Sequence, residues 1–170
     1  MKPPTGYCSL WHETPFGRML LASTGEALTG AWFENQKAFP HAALQWLRAP
    51  APPILSAARR WLDDYFSGHR PDIEKIPLAP PGTPFQQRVW NMLRAIPYGR
   101  TTTYGALAQR LAPPRMAAQA VGGAVGRNPL SIIIPCHRVL GSGGALTGYA
   151  AGLDIKRRLL QHEGIHLPPA

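Results

Sequence analysis

Acidic side chains are scarce in this chain, and cysteines are scarcer. Its 170 residues hold nine Asp and Glu against eighteen Lys and Arg, a formal net charge of +9. The shortage is uneven. Residues 1–84 carry eight basic and seven acidic side chains, residues 85–170 carry ten and two, and from Lys75 to Leu153 there is no Asp or Glu. A basic half of this kind attracts a polyanion such as nucleic acid; the alternative is a solvated basic surface with no partner, and charge alone leaves both open. With two cysteines, Cys8 and Cys136, and enough chain to bury its own core, a structural disulfide is not expected; both are read as free thiols in a reducing compartment. A long hydrophobic run is also missing. Met1 to Leu20 is broken by Pro3, Pro4, His12, Glu13 and Pro15, which leaves neither a signal-peptide core nor a membrane span, and a cytoplasmic location is expected.

The first third reads as an antiparallel meander. Tyr7 to His12, Arg18 to Ser23 and Ala27 to Phe33 are short β-branched or aromatic segments, separated by turn signals at Thr14-Pro15-Phe16-Gly17 and Thr24-Gly25. After Pro52-Pro53, the residues Leu55, Ala58, Leu62, Tyr65 and Phe66 recur at helical spacing until Ser67-Gly68 ends the run. The stretch from Arg70 to Gly82, with four prolines, has no period and reads as a linker; the charge balance changes there too. The division expected is therefore a domain over residues 1–70, a linker over 71–82 and a second domain over 83–170. Neither an internal repeat nor a low-complexity tract is present.

The second domain opens on a helix signal, with Thr83 as N-cap, Pro84 at the first helical position and Gln86 completing a capping box. Phe85, Val89, Met92, Leu93 and Ile96 line one face, and Pro97-Tyr98-Gly99 stops it. Thr103 caps a second helix through Leu111, Ala112-Pro113-Pro114 breaks the chain, and a third helix is expected from about Arg115 to Gly126. Two short helices joined by a tight turn suggest a helix-turn-helix. The third is rich in small residues, including Ala117, Ala118, Ala120, Gly122, Gly123 and Ala124, which admits a close approach either by a neighbouring helix or by another molecule. Leu130 to Ile134 is read as a buried strand. Pro135-Cys136-His137-Arg138-Val139-Leu140, a Gly141-Ser142-Gly143-Gly144 turn and a final helix from Leu153 to His162 follow, with Gly164 as its stop.

A cysteine beside a histidine is a candidate nucleophile, because the thiolate is the reactive form and a base or cation nearby favours it. Neighbours on an extended strand point to opposite faces, so His137 reaches the Cys136 sulfur only if the chain turns there or a water bridges them. In a domain with two acids, Glu163 is favoured as the carboxylate that orients the imidazole, because it ends a helix that could pack against the strand. The plainer alternatives stay open at this point: Cys136 as a small buried hydrophobe, His137 as a surface residue and Glu163 as a solvated helix end.

Taken together, Thr83-Pro84-Phe85-Gln86, Ile96-Pro97-Tyr98-Gly99, Thr103-Tyr104-Gly105, Ala120-Val121-Gly122, Gly126-Arg127-Asn128-Pro129, Pro135-Cys136-His137-Arg138-Val139 and His162-Glu163-Gly164 resemble, in order, the catalytic domain of the O6-alkylguanine-DNA alkyltransferases. The resemblance covers residues 83–164; residues 1–70 match in outline the family's variable N-terminal domain. It implies an α+β chain, with a small N-terminal antiparallel sheet and helix of ribonuclease-H-like type and a mainly helical, winged helix-turn-helix-like C-terminal domain. It also implies single-turnover repair, in which the alkyl group on O6 of guanine in duplex DNA, and by extension on O4 of thymine, passes irreversibly to Cys136. No cofactor or metal is implied. The expected partner is double-stranded DNA carrying O6-alkylguanine, not a membrane; the expected state is a monomer that several copies can join on DNA, near the nucleoid.

By the same resemblance Cys136 is the acceptor, held as a thiolate through a water to His137 and on to Glu163. Asn128 braces the turn before it, and Tyr104 hydrogen-bonds the purine so that guanine leaves neutral. Tyr149 and Ala150 belong to the loop over the flipped base, and backbone carbonyls near Cys136 and Val139 read the exocyclic amine. Ala120 and Gly122 face the minor groove from the recognition helix, and Arg127 is placed with the DNA contacts. One position departs from the family: Gln119 stands where an arginine usually enters the duplex stack, and Gln119 is taken as the wedge, with Arg115 one turn earlier as its rival. Two other function classes remain: a lesion sensor without transfer, whose relatives replace the acceptor cysteine, and a cysteine hydrolase, which needs an oxyanion site and turns over repeatedly. Cys8, His12, His41 and His69 invite a zinc site, but their spacing fits no compact pattern and they are read as ordinary residues.

Overall fold

A computed structural model describes residues 6–46, 50–111 and 118–167. They divide into two compact units, one running to Pro81 and taking in Pro129–Ile133, the other made of Gly82–Asn128 and the residues from Ile134 onward.

In the first unit, β1 (Cys8–Thr14), β2 (Gly17–Ser23) and β3 (Leu28–Phe33) form an antiparallel sheet in that order. The first hairpin closes at the Thr14–Gly17 pair, where Gly17 takes a φ of +125° that other residues avoid. Alternate residues of a strand face opposite sides, and Met19 to Ser23 of β2 are all buried, so the central strand is covered on both faces. One cover is α1 (Pro53–Phe66), which packs on β1 and β2 and buries Leu55, Ala58, Leu62 and Tyr65, four positions expected from the helical spacing. Beyond β3 the chain adds two single bridges, Leu28 to Leu78 and Ala31 to Leu130. The proline-rich stretch is thus partly tied to the sheet, with Leu28 N donating to Pro77 O at 2.8 Å and Ala79 N to Leu28 O at 2.9 Å.

In the second unit, α2 (Pro84–Arg94) starts on the expected capping box: Gln86 N donates to Thr83 Oγ1 at 3.2 Å and Thr83 N to Gln86 Oε1 at 2.8 Å. Trp90, fully buried, donates its indole N–H to Ala124 O at 2.9 Å and so ties α2 to α4 (Ala118–Gly126). A Cβ at Gly82 would sit 2.4 Å from that indole ring, so only glycine fits there. Thr103 caps α3 (Tyr104–Arg110) through Ala106 N at 3.1 Å, and α3 packs on α4. β4 (Thr102–Thr103) pairs in parallel with β5 (Val139–Leu140), and α5 (Leu153–His162) ends at Gly164, whose φ is +82°. The α+β class, a sheet with a helix followed by a mainly helical unit, is as expected. The connection expected to break the chain between α3 and α4 lies outside the described residues.

The expected strand from Leu130 to Ile134 does not form. Leu130 makes one bridge, Ser131 to Ile133 turn, and Ile132 has a φ of +71°. Ile133 N donates to Ser131 O at 2.9 Å, which closes a three-residue γ turn around Ile132. A β-branched residue in the left-handed region costs about 1–3 kcal/mol, and the surrounding burial offsets it. The apolar run reports burial, which a buried turn satisfies as well as a strand does. Among the described residues no helix is long and apolar enough to cross a membrane.

Candidate active site

The chain reaches Cys136 through a second tight turn. Pro135, at φ −79° and ψ 63°, is the centre of an inverse γ turn in which Cys136 N donates to Ile134 O at 2.8 Å. The next three residues, Cys136–Arg138, form one turn of 3-10 helix. The chain therefore turns at Cys136, which removes the strand geometry that would send Cys136 and His137 to opposite faces. The Ile134 carbonyl also accepts from Asn128 Nδ2 at 2.8 Å, so Asn128 braces this turn from the end of α4. Cys136 is 7% exposed and His137 fully buried.

Glu163, at the end of α5, is held from three sides. His137 Nε2 lies 2.6 Å from Oε1; Arg138 donates from Nε to Oε2 at 2.8 Å and from Nη2 to Oε1 at 3.0 Å; Gly99 N donates to Oε2 at 3.1 Å. Arg138 Nη1 also donates to Ile96 O at 2.6 Å. Gly99 sits at φ +72°, and a Cβ there would come within 3.2 Å of the Glu163 carbonyl, which is why the Ile96-Pro97-Tyr98-Gly99 turn ends in glycine. With Nε2–H donated to the carboxylate, the imidazole carries its bare nitrogen at Nδ1, which is buried and meets no hydrogen-bond partner among the described residues.

Burial by itself raises the pKa of Glu163, but the hydrogen bonds and charges of His137 and Arg138 outweigh it and hold the carboxyl far below the usual range. Burial lowers His137, against the pull of Glu163, so the imidazole is neutral. Burial raises Cys136, against the Asn128 hydrogen bond, the Lys156 charge and two backbone amides. Burial thus pushes the Cys136 thiol up and the His137 imidazole down, and the thiol stands next to an imidazole whose Nδ1 has no hydrogen-bond partner among the described residues. A thiol and a basic nitrogen so placed have the chemistry of a nucleophile and general base, with a carboxylate positioned to stabilise an imidazolium.

Tyr104 stands at the start of α3, its hydroxyl 3.4 Å from Thr147 O; burial first, then Cys136, push its pKa up, so it stays a neutral donor. Val139 is buried, and Tyr149 and Ala150 are half-buried in the loop before α5. On α4, Gln119 and Ala120 are exposed, as is Arg127 just beyond it. Two of the α4 glycines are not demanded by packing within the unit: a Cβ would meet Tyr104 at an ordinary 3.7 Å at Gly122 and nothing within 4 Å at Gly126, whereas at Gly123 it would come within 3.3 Å of the end of the Arg127 side chain. Arg115 lies outside the described residues. His12 pairs with Asp63 at 2.9 Å, and no group of three or more His, Cys, Asp or Glu able to hold a metal occurs among the described residues.

Two side chains at this site were not singled out from sequence. Arg138 stands inside the Cys-His-Arg signature, but its partner Glu163 is 25 residues away. Lys156 is fully buried and donates to Val139 O and Thr147 O at 2.6 Å and to Gly148 O at 3.1 Å. The signal was its spacing: Lys156 shares the buried face of α5 with Leu159, Leu160 and Glu163.

The family profile described as 6-O-methylguanine DNA methyltransferase, DNA binding domain, matches residues 84–165, and that described as its ribonuclease-like domain matches residues 7–80. The chain is 46% identical over 155 residues to a methylated-DNA–protein-cysteine methyltransferase of Haemophilus influenzae, covering 91% of this chain and 85% of that one. It is 45% identical to one of Methanosarcina acetivorans, covering 89% and 95%. A crystal structure of Mycobacterium tuberculosis OGT in complex with DNA matches with a TM-score of 0.77 and 42% identity, over 92% of this chain and 91% of that one. Matched in both halves and over nearly its whole length, the chain belongs to the 6-O-methylguanine DNA methyltransferase family.

Proposed function

We propose that this chain repairs DNA by direct reversal, taking the alkyl group from O6 of guanine in duplex DNA onto Cys136 Sγ, once per molecule. The observation that carries this is the buried relay: Glu163 2.6 Å from His137 Nε2, Nδ1 left free, and Cys136 adjacent on the same 3-10 turn. The thiol proton passes through a water to Nδ1, and Glu163 with Arg138 beside it stabilises the imidazolium. Sγ attacks the alkyl carbon, the carbon–O6 bond breaks, and its electron pair goes to the purine. Tyr104 donates its hydroxyl proton to the purine as that bond breaks, so guanine leaves as a neutral base, and the proton held on His137 returns through water to the Tyr104 oxygen. The product is a thioether, which nothing in the site activates for cleavage, so turnover ends there.

Reaching O6 requires the nucleotide to leave the stack, at a cost of roughly a few kcal/mol. The outer face of α4, with Gln119 as wedge and Ala120 and Gly122 small enough for close approach, enters the minor groove. Arg127 and the other basic side chains of this half take phosphates, Arg115 remains the rival wedge, and Tyr149, Ala150 and the Val139 carbonyl face the flipped base. The chain works as a monomer in solution, and O4-alkylthymine is a secondary substrate.

Titration with an excess of duplex carrying O6-methylguanine tests this. Demethylation is expected to stop at one lesion per chain. Continued turnover would point to a hydrolase, and tight binding with no demethylation to a lesion sensor; either result overturns the proposal.

A further inference from the structure

The first unit has no task in the mechanism above, yet it holds part of the chain that carries the site. After α4 the backbone leaves the second unit at Asn128, runs through Pro129–Ile133 in the first and returns at Ile134, two residues before Cys136. The grip on that excursion is specific. Ala31 in β3 donates its N–H to Pro129 O at 2.8 Å and accepts from Ser131 N at 2.9 Å, so both its backbone groups are spent on the segment. Ser131, itself buried, donates its hydroxyl to Gln36 Oε1 at 3.4 Å, and the same oxygen accepts from Phe33 N at 3.0 Å. Gln36 is buried too, and its own N–H donates to Phe33 O at 3.2 Å, which closes the turn after β3. Capping that turn accounts for the Phe33 contact; it does not require Ser131 on the second lone pair.

Backbone strain gives a second, independent line. Ile132 is fully buried at a φ of +71°, a conformation that a β-branched residue keeps only where its surroundings over-determine it. Ser131 does so. Its carbonyl accepts from Ile133 N at 2.9 Å to close the γ turn, while its amide is held by Ala31 and its hydroxyl by Gln36. The turn shortens the excursion and so sets where its far end lies. There Ile134 O accepts from Asn128 Nδ2 and from Cys136 N, each at 2.8 Å. One carbonyl thus joins the residue that starts the excursion to the residue that bears the thiol.

We propose that Gln36, acting through Ser131, is a positioning residue for alkyl transfer: it fixes the shape of the Pro129–Ile133 excursion, and with it the register between α4 and Cys136. This rests on the reading of Cys136 as the alkyl acceptor. Transfer from duplex asks two parts of the chain to be in place at once, α4 in the groove and Sγ in line with the alkyl carbon. A slack excursion lets each reach its own place but not both together. A small reagent that meets the thiol alone needs no such register. A misplacement of about 1 Å costs up to about 100-fold in rate, so the loss falls on duplex repair and spares the intrinsic reactivity of the thiol.

The test compares the wild-type chain with Gln36→Met, which keeps the length of the side chain and removes its amide, and with Ser131→Ala. For each, three quantities are measured: the single-turnover transfer rate at saturating duplex carrying O6-methylguanine, the rate of Cys136 modification by iodoacetamide without DNA, and hydrogen–deuterium exchange at the Ser131 and Ile133 amides. Gln36→Met is expected to transfer about 10- to 100-fold more slowly, to react with iodoacetamide as the wild type does, and to exchange both amides faster. Ser131→Ala, which keeps both backbone bonds to Ala31, is expected to move the same way by less. Wild-type transfer by Gln36→Met overturns the proposal. So does slow transfer with an equally altered iodoacetamide rate, which would be a general disturbance of the site, and so does unchanged exchange at the two amides. If Gln36→Met fails to fold, the same three outcomes are read on Ser131→Ala. Absence of transfer in the wild-type chain would sink the acceptor reading, whereas the exchange rates would still judge whether Gln36 holds the excursion.

Discussion

Glu163 engages a histidine, an arginine and a backbone amide at once, so one atom exchanged there reaches far. Glu163→Gln keeps the shape but removes the counter-charge of a nearly buried Arg138, and breaking such a pair costs about 3–5 kcal/mol. Thermal denaturation is expected to show a lower Tm, and transfer is expected to slow as the Cys136 thiol moves up; an unchanged thiol titration would remove Glu163 from the relay. The same pair sets the acid limit of stability. Glu163 and His137 are both held below their ordinary values of 4.5 and 6.5. As pH falls past each ordinary value the unfolded chain binds a proton that the folded site refuses, so the stability they contribute is whole above pH 6.5 and is lost progressively below it. Tm measured against pH should decline first just below 6.5 and again below 4.5, with the second decline weakened in Glu163→Gln. A flat Tm across that range contradicts these assignments.

On α4, the element proposed to enter the duplex, Gln119 is exposed where the family resemblance leads one to expect an arginine. Gln lacks the charge and the stacking plane of a guanidinium, though its amide still hydrogen-bonds an orphaned base. Gln119→Arg should speed repair in duplex, where the base must leave the stack, and change little on a free O6-substituted guanine. No gain on duplex together with severe impairment in Arg115→Ala would make Arg115 the wedge. Sequence and structure agree where the interactions are local. The Thr83–Gln86 box spans three residues, α1 announced itself by spacing and by its Ser67-Gly68 stop, and α5 by its glycine stop. What stayed hidden is long-range. Arg138 and Glu163 meet across 25 residues, Lys156 looks like a solvated charge until its helix face is known, and Leu130–Ile134 has a strand's composition but holds a γ turn around Ile132, followed by a second around Pro135. The nucleophile and its histidine were readable as neighbours; that a 3-10 turn follows Pro135 was not.

At the scale of the whole molecule, charge and chemistry separate. The basic half binds phosphates whatever the state of the sulfur, so duplex affinity should fall steeply and linearly in log–log terms as salt rises. Cys136→Ala should keep that salt dependence and lose all transfer; residual transfer by this variant would sink the mechanism. The central claim is that one atom of this chain receives the alkyl group. It is tested most directly by incubating the protein with duplex whose O6-methylguanine carries an isotopically labelled methyl, then mapping the label by peptide mass spectrometry. The account predicts one labelled methyl per chain, on Cys136; label on any other residue, or lesions cleared with an unlabelled protein, would contradict it.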